Sequence, residues 1–176
     1  NEQSERFNKS AAERHLISTQ SIRHGKTQFK VGDSFENAPN ADLTLDSFVS
    51  KLNRELKTVL KLDGLEIPIV IDGKENFDRS QIEGYDPSDN AKVWYRYAVA
   101  KSSDVESAVK VAKKASPGWN ELGAEARADI LKKFGAIAHE EQEETIAIMA
   151  RDAGKTVAEA DPEVSEAIDF ANYYAL

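Results

Sequence analysis

Ile67-Pro68-Ile69-Val70-Ile71-Asp72-Gly73 is the stretch that decides the fold class of this chain. Its β-branched residues favour a strand, and Asp72-Gly73 tolerates the positive φ angles of a type I′ hairpin turn. Pro68 has no N–H for a ladder, so the strand should begin at that residue or lie at an edge. A β-hairpin is therefore predicted, in a chain whose other periodic segments are mostly helical.

An amphipathic helix is predicted just before this hairpin. Apolar residues recur at helical spacing from Leu45 to Leu60, and Asp42 or Thr44 is available as the N-cap. We therefore interpret residues 42–62 as one amphipathic helix.

The chain before that helix carries weaker signals. Residues 21–40 contain glycine, proline and several serines and asparagines, which are typical of a connector. Residues 2–19 permit a helix, although their apolar pattern is thin. We interpret residues 1–41 as an arm or inter-domain linker.

A strand and a helix are predicted after the hairpin. Residues 93–99 alternate as a strand does, after turn residues at 86–90. Ser103 and Glu106 have the spacing of a capping box, and Pro117-Gly118 should end the helix that follows.

The C-terminal third is predicted to be helical. Residues 124–153 indicate two helices or one bent helix, with Gly154 as the left-handed residue that follows. Asp161-Pro162 has the pattern of an N-cap with proline in the first helical position. The last helix carries an apolar stripe at Val164, Ala167, Ile168, Ala171 and Ala175, so the fold class is α+β and mostly helical.

Composition excludes several kinds of site. The chain has 176 residues, no cysteine and a net charge of −8, and residues 120–176 hold 13 acidic and 5 basic side chains. Without cysteine there is no disulfide, thiolate nucleophile or cysteine-based metal site. A negative surface repels phosphate backbones, so nucleic acid is not an expected partner. No apolar run is long enough to cross a bilayer and no signal peptide is evident, so the expected location is cytoplasmic.

Two acidic features of the sequence are candidates for a site. Glu140, Glu141, Glu143 and Glu144 are interpreted as a solvated helix face. Glu166 shares a helical face with Phe170 and Tyr173, beside the apolar stripe. Its carboxylate could contact an amine or a water near a pocket, or lie at a rim with its head in water.

The order of these parts resembles the start of an aldehyde dehydrogenase, and the resemblance covers residues 35–176. Residues 35–43 resemble the Phe-Asn-Glu-Pro lead-in of the Δ1-pyrroline-5-carboxylate (L-glutamate γ-semialdehyde) dehydrogenase branch, with Ala38 in place of the usual acidic residue. The other matching stretches are Ile71-Asp72-Gly73-Lys74-Glu75, Asp86-Pro87, Ala98-Val99-Ala100, Trp119, residues 126–131, residues 151–156 and residues 163–175. The last of these is similar to the same branch.

The resemblance implies NAD-dependent oxidation of the semialdehyde through a cysteine thiohemiacetal. It also implies a homo-oligomeric parent enzyme, with FAD if a proline dehydrogenase domain is fused, as in bifunctional proline utilisation proteins. Residues 63–176 would be the N-terminal part of the NAD-binding-side domain, with the rest of the same polypeptide and a small-molecule substrate as partners. Glu166 matches a glutamate near the semialdehyde pocket, and no residue is assigned to catalysis, to the cofactor or to a metal.

Two functions therefore stand at this point. The first is a structural segment of a semialdehyde dehydrogenase that is inactive in isolation. The second is a self-sufficient acidic helical module for protein interaction, without enzymatic activity.

Overall fold

The computed structural model describes residues 35–176, which form five helices and five short strands. The helix predicted for residues 2–19 and most of the predicted connector lie outside the described residues. The elements in chain order are α1 (Asp46–Val59), β1 (Leu65–Ile67), β2 (Ile69–Ile71), β3 (Lys74–Asn76), β4 (Gln81–Asp86), β5 (Asp89–Ala98), α2 (Ser102–Glu121), α3 (Gly123–Glu140), α4 (Gln142–Ala153) and α5 (Val157–Tyr173). The α+β fold class is confirmed.

Pro68 divides the predicted strand between two sheets. β1, before the proline, pairs in parallel with β5 at the edge of a sheet ordered β1-β5-β4. β2, after it, pairs antiparallel with β3. Asp72 and Gly73 join β2 to β3 with φ angles of 54° and 69°, which confirms the predicted hairpin turn. The segment predicted as one strand is thus two short strands, and the expectation that the strand begins at Pro68 or lies at an edge is confirmed, because the missing N–H of Pro68 interrupts the ladder.

The main core lies between α1, α4 and α5. Phe48 and Leu52 of α1 pack against Ile146 of α4 and Ile168 of α5. The full cluster of buried residues is Ala38, Phe48, Leu52, Ile146, Ala160, Val164 and Ile168. The predicted stripe on α5 is largely confirmed, since of its five residues only Ala167 is exposed.

The predicted caps of α1 and α2 are wrong. Leu45 precedes α1, and the Asp42 carboxylate closes the preceding turn by accepting from the Thr44 N–H and hydroxyl. α2 begins at Ser102, where the Asp104 carboxylate, rather than Glu106, accepts from the Lys101 N–H at 2.8 Å. At α2, a polar side chain two residues before Glu106 thus forms the contact with the N-cap N–H.

α2 also runs past its predicted end. It continues through Pro117 to Glu121, and the next helix begins at Gly123, whose φ of 79° is left-handed. Pro117 removes one hydrogen bond near the end of the helix without stopping it. Residues 123–153 form two helices separated at Glu141, and Gly154 follows α4 with a φ of 67°, as predicted.

α5 begins earlier than predicted. Thr156 precedes it, and the Glu159 carboxylate reaches back to accept from the Thr156 N–H at 2.9 Å. Asp161 is therefore not an N-cap. It is a buried residue within the helix, and its carboxylate accepts from the Ala41 N–H at 2.8 Å and the Gln142 amide at 2.7 Å.

The acidic run on α3 and α4 is not a uniformly solvated face. Glu143 is 1% exposed and accepts from the Lys51 ammonium of α1 at 2.8 Å, whereas Glu140, Glu141 and Glu144 are exposed. Glu143 lies on the side of α4 that packs against α1, so its burial follows from helix packing. None of the described helices has the length and apolar character needed to cross a bilayer.

Candidate functional site

A groove of about 800 Å³ runs along α5, and we call it the α5 groove. One wall is the outer face of α5, and the other is the extended segment that precedes α1. The lining residues are Phe35, Asn37, Ala38, Asn40, Pro162, Glu163, Ser165, Glu166, Asp169, Phe170, Tyr173 and Tyr174. The groove therefore combines two parts of the chain that are more than 120 residues apart.

Aromatic rings form one end of the groove. Phe35 meets Tyr173 edge-on, with ring centroids 5.5 Å apart. Tyr174 contacts both Tyr173, at 5.4 Å, and Phe170, in a stacked arrangement at 6.4 Å. Phe170, Tyr173 and Tyr174 are each more than half exposed, so their ring surfaces are open to a ligand. Such rings offer apolar contact and negative π-faces that attract cations.

Three carboxylates line the groove, and two of them are already paired. Glu163 forms an ion pair with Lys155. Asp169 accepts from the Asn37 amide at 2.7 Å and from the Ala38 N–H at 2.6 Å. Glu166 makes no hydrogen bond or ion pair with any residue in the described range 35–176. It is thus the carboxylate in this groove that is left to meet a ligand or another part of the protein.

Glu166 lies where its sequence spacing indicated. It is exposed and lines the same groove as Phe170 and Tyr173, beside the buried stripe of Ile168. Next to it, Ser165 is 4% exposed and its hydroxyl has no hydrogen-bond partner among the described residues. The role of Glu166 in substrate binding stays a prediction.

The wall formed by residues 35–40 was missed by sequence reasoning, which interpreted this segment as part of a linker. Asp169 was also missed, although its position three residues after Glu166 places both on one face of α5. That spacing was the available signal for Asp169. Nothing in the local sequence showed that Asn37 and Ala38 return to this helix.

The described residues do not fit NAD. A dinucleotide site needs a glycine-rich turn between a strand and a helix, so that the backbone can approach the pyrophosphate. Among the described elements, the strand-to-helix connection runs from β5 to α2 through Val99-Ala100-Lys101, which has no glycine. The groove itself carries three carboxylates, which would repel phosphates. A cofactor would have to bind elsewhere in the protein that contains this chain.

Comparison with known proteins gives the family. The model described as "Aldehyde dehydrogenase family" matches residues 74–176. The 1-pyrroline-5-carboxylate dehydrogenase of Staphylococcus aureus (strain MW2) is 36% identical over 141 residues, which are 80% of this chain and 27% of that protein. The enzyme of the same name from Geobacillus sp. (strain WCH70) is 34% identical over the same shares. The chain thus spans about a quarter of the length of these relatives.

Solved structures agree with this assignment. A Thermus 1-pyrroline-5-carboxylate dehydrogenase with bound NAD matches with a TM-score of 0.78 and 27% identity, over 83% of this chain and 28% of that one. Proline utilization A from Bdellovibrio bacteriovorus matches with a TM-score of 0.78 and 28% identity, over 81% of this chain and 15% of that one. Similarity in sequence and in fold each extends over about four-fifths of this chain, and the chain belongs to the aldehyde dehydrogenase family.

Proposed function

We propose that this chain is a structural segment of an NAD-dependent L-glutamate γ-semialdehyde (1-pyrroline-5-carboxylate) dehydrogenase that acts in proline degradation to glutamate. The named relatives and the solved structures support this choice of branch. The α5 groove, with Glu166 on the helix that resembles this branch most closely, is the observation that carries the proposal. The alternative of a self-sufficient interaction module gains no support from these similarities.

Within the enzyme, the α5 groove would contribute one side of the substrate pocket. The semialdehyde carries an α-ammonium group. The Glu166 carboxylate, which has no partner among residues 35–176, lies beside open aromatic rings and is suited to a small cation. The chain has no cysteine, so the thiolate that attacks the aldehyde must come from outside these 176 residues. The segment would thus help to form the substrate pocket and bind the substrate, but it would not catalyse the oxidation by itself.

The decisive experiment compares this chain with the complete gene product. We expect the complete protein to reduce NAD in the presence of L-glutamate γ-semialdehyde, and the chain alone to be inactive. If the complete protein oxidises simple aldehydes but not the semialdehyde, the proposed substrate is wrong, although the chain still belongs to the aldehyde dehydrogenase family. Dehydrogenase activity of the chain alone would show that the proposal of a non-catalytic segment is wrong.

Glu166→Gln tests the site itself. The substitution keeps the shape of the side chain and removes its charge, so KM for the semialdehyde should rise about tenfold. KM for an aldehyde of similar length without an amino group should stay within about twofold. Glu144→Gln, at an exposed position on α4, is the matched control. If KM changes equally for both aldehydes, Glu166 does not recognise the ammonium group.

Other properties of the parent enzyme belong to the same proposal. We expect a homo-oligomer in the cytoplasm, with the remainder of the same polypeptide covering part of this segment. If a proline dehydrogenase domain lies in the same polypeptide, FAD would be its cofactor. The similarity to a proline utilization A structure supports looking for that domain.

A further inference from the structure

Residues 35–41 form an extended strap that lies across α5 and supplies one wall of the groove. Phe35, Asn37, Ala38 and Asn40 of this strap line the groove opposite the α5 side chains. Ala38 is 7% exposed and belongs to the main core, which anchors the middle of the strap. The strap contains no helix or strand, so its position depends on contacts to its neighbours.

Two aspartates of α5 hold the strap at two points. Asp169 accepts from the Asn37 amide and the Ala38 N–H, so both of its oxygens face the strap. Two turns earlier on the helix, Asp161 accepts from the Ala41 N–H, and the Gln142 amide holds its second oxygen. Hydrogen bonds to a charged acceptor are stronger than neutral ones, so these contacts fix the strap more firmly than its own backbone would.

We propose that Asp169 is a positioning residue that sets the width of the α5 groove by holding the strap, and so determines which aldehydes fit. This inference rests on the proposed function, because it assumes that the groove receives the substrate. Asp169 itself need not touch the substrate, since its oxygens are occupied by the strap. Its effect reaches the substrate through Phe35 and Asn37, which form the wall opposite Glu166.

Asp169→Asn weakens the two hydrogen bonds between Asp169 and the strap, which we call the clamp, with little change in side-chain volume. The new amide keeps one acceptor oxygen and places an NH₂ group against the strap, where the Asn37 amide and the Ala38 N–H both donate. The Ala38 N–H can keep the remaining oxygen, and the Asn37 amide can flip so that its own oxygen accepts from the new NH₂, so both contacts lose their charged acceptor and the strap is held less firmly. Asp161 still holds Ala41, so the loosening is expected in residues 35–38.

The first measurement is hydrogen exchange in the complete protein. We expect the Ala38 amide to exchange at least about tenfold faster in Asp169→Asn, while amides of α4 keep their rates. Asn37→Ala removes only the side-chain partner and should give an intermediate increase. Asp129→Asn on α3 makes the same chemical change at an exposed position and should leave the strap unaffected. Unchanged exchange at Ala38 would overturn the clamp.

The second measurement is a comparison of kinetic constants. With the strap released, KM for the semialdehyde should rise about tenfold and kcat should stay within about twofold. Preference for the semialdehyde over bulkier, branched aldehydes should fall, because the wall no longer restricts the groove. If exchange at Ala38 rises but KM and the preference are unchanged, the strap does not set specificity and the proposal is wrong.

The two proposals can fail separately. If the wild-type complete protein does not oxidise the semialdehyde, the proposed function is wrong, whatever the hydrogen-exchange data show. An active wild-type enzyme whose Asp169→Asn variant has unchanged constants removes only the inference about the strap. A fall in kcat as large as the rise in KM in Asp169→Asn would also count against it, since a residue that only positions the groove wall should leave kcat nearly unchanged.

Discussion

Arg151, on α4, contacts the end of α1, the loop after it and the sheet. Its side chain is 2% exposed, and its guanidinium donates to the Val59 carbonyl, to the Leu62 carbonyl at 2.5 Å and to the Asp63 carboxylate at 2.8 Å. It also lies 4.8 Å from the centre of the Trp94 ring. A single side chain thus ties the end of α1 and the sheet to α4.

Replacing Arg151 should therefore be costly. Arg151→Met takes one donor from each of the Val59 and Leu62 carbonyls and leaves the buried Asp86 carboxylate without its cation, so we expect a loss of about 3–5 kcal/mol in the free energy of unfolding. Urea denaturation measures this change. Arg54→Met, at a side chain that is 68% exposed, should change it by less than about 0.5 kcal/mol. Equal effects of the two substitutions would refute the role given to Arg151.

Asp104 makes stability depend on pH. The Arg79 guanidinium donates to both of its oxygens, at 2.6 and 2.8 Å, and holds the pKa of Asp104 well below its ordinary value, with help from the Lys101 N–H. Because this pKa is lower in the folded state, the unfolded chain binds more protons at acid pH. The stabilisation is complete above about pH 4 and is lost as pH falls towards the folded-state pKa.

Asp104→Asn should reduce that dependence. We expect the variant to have a lower Tm than the wild type at neutral pH, and a shallower decline of Tm below about pH 4. Asp129→Asn should leave the slope unchanged, because Asp129 is 75% exposed and its nearest cation, Lys132, is 3.7 Å away. If Tm falls equally with pH in the wild type and in Asp104→Asn, Asp104 is not a source of the pH dependence.

At the scale of helices and strands, sequence reasoning located most elements and misplaced several ends. The hairpin turn at Asp72-Gly73 was predictable because its backbone conformation is a local property of those two residues. The start of α5 was not, because Asp161-Pro162 offers a good local cap, and Thr156 with Glu159 offers another. The burial of Asp161 against Ala41 and Gln142 excludes the first choice, and that contact is not local in sequence.

Two glycines within helices show how packing opposes helix propensity. An added Cβ at Gly118 of α2 would meet no atom within 4 Å, whereas at Gly135 of α3 it would lie 2.8 Å from the Asn172 side-chain oxygen. Gly118→Ala should therefore raise the free energy of unfolding by about 0.5–1 kcal/mol. Gly135→Ala gains the same propensity but crowds buried Asn172, and we expect a net loss of about 1 kcal/mol. Thermal denaturation of the pair tests this, and stabilisation by both substitutions would show that α3 and α5 can separate freely.

At the scale of the whole molecule, the sequence could not predict the α5 groove because its two walls are distant in sequence. Glu166 and its aromatic neighbours lie on one helix, so their common face follows from helical spacing. The strap is separated from them by more than 120 residues, and its return to α5 depends on the three-helix core. The sequence therefore predicted half of the site and assigned the other half to a linker.

The outer face of α3 is the other large-scale feature. Ile130, Phe134 and Ile137 lie on one side of the helix, and each is between 42% and 53% exposed. An apolar face of this kind is expected of a layer that packs against another part of an enzyme, and in isolation it should drive self-association. The net charge of −8 opposes association, so added salt should strengthen it by screening that repulsion.

Phe134→Glu should disrupt this association. Placing a charge where an aromatic ring would be buried should weaken self-association at least about tenfold, as measured by sedimentation velocity over a range of chain and salt concentrations. Ala136→Glu adds the same charge at an exposed position on the other side of α3 and should have a much smaller effect. A wild-type chain that stays monomeric at every concentration and salt would show that this face does not associate.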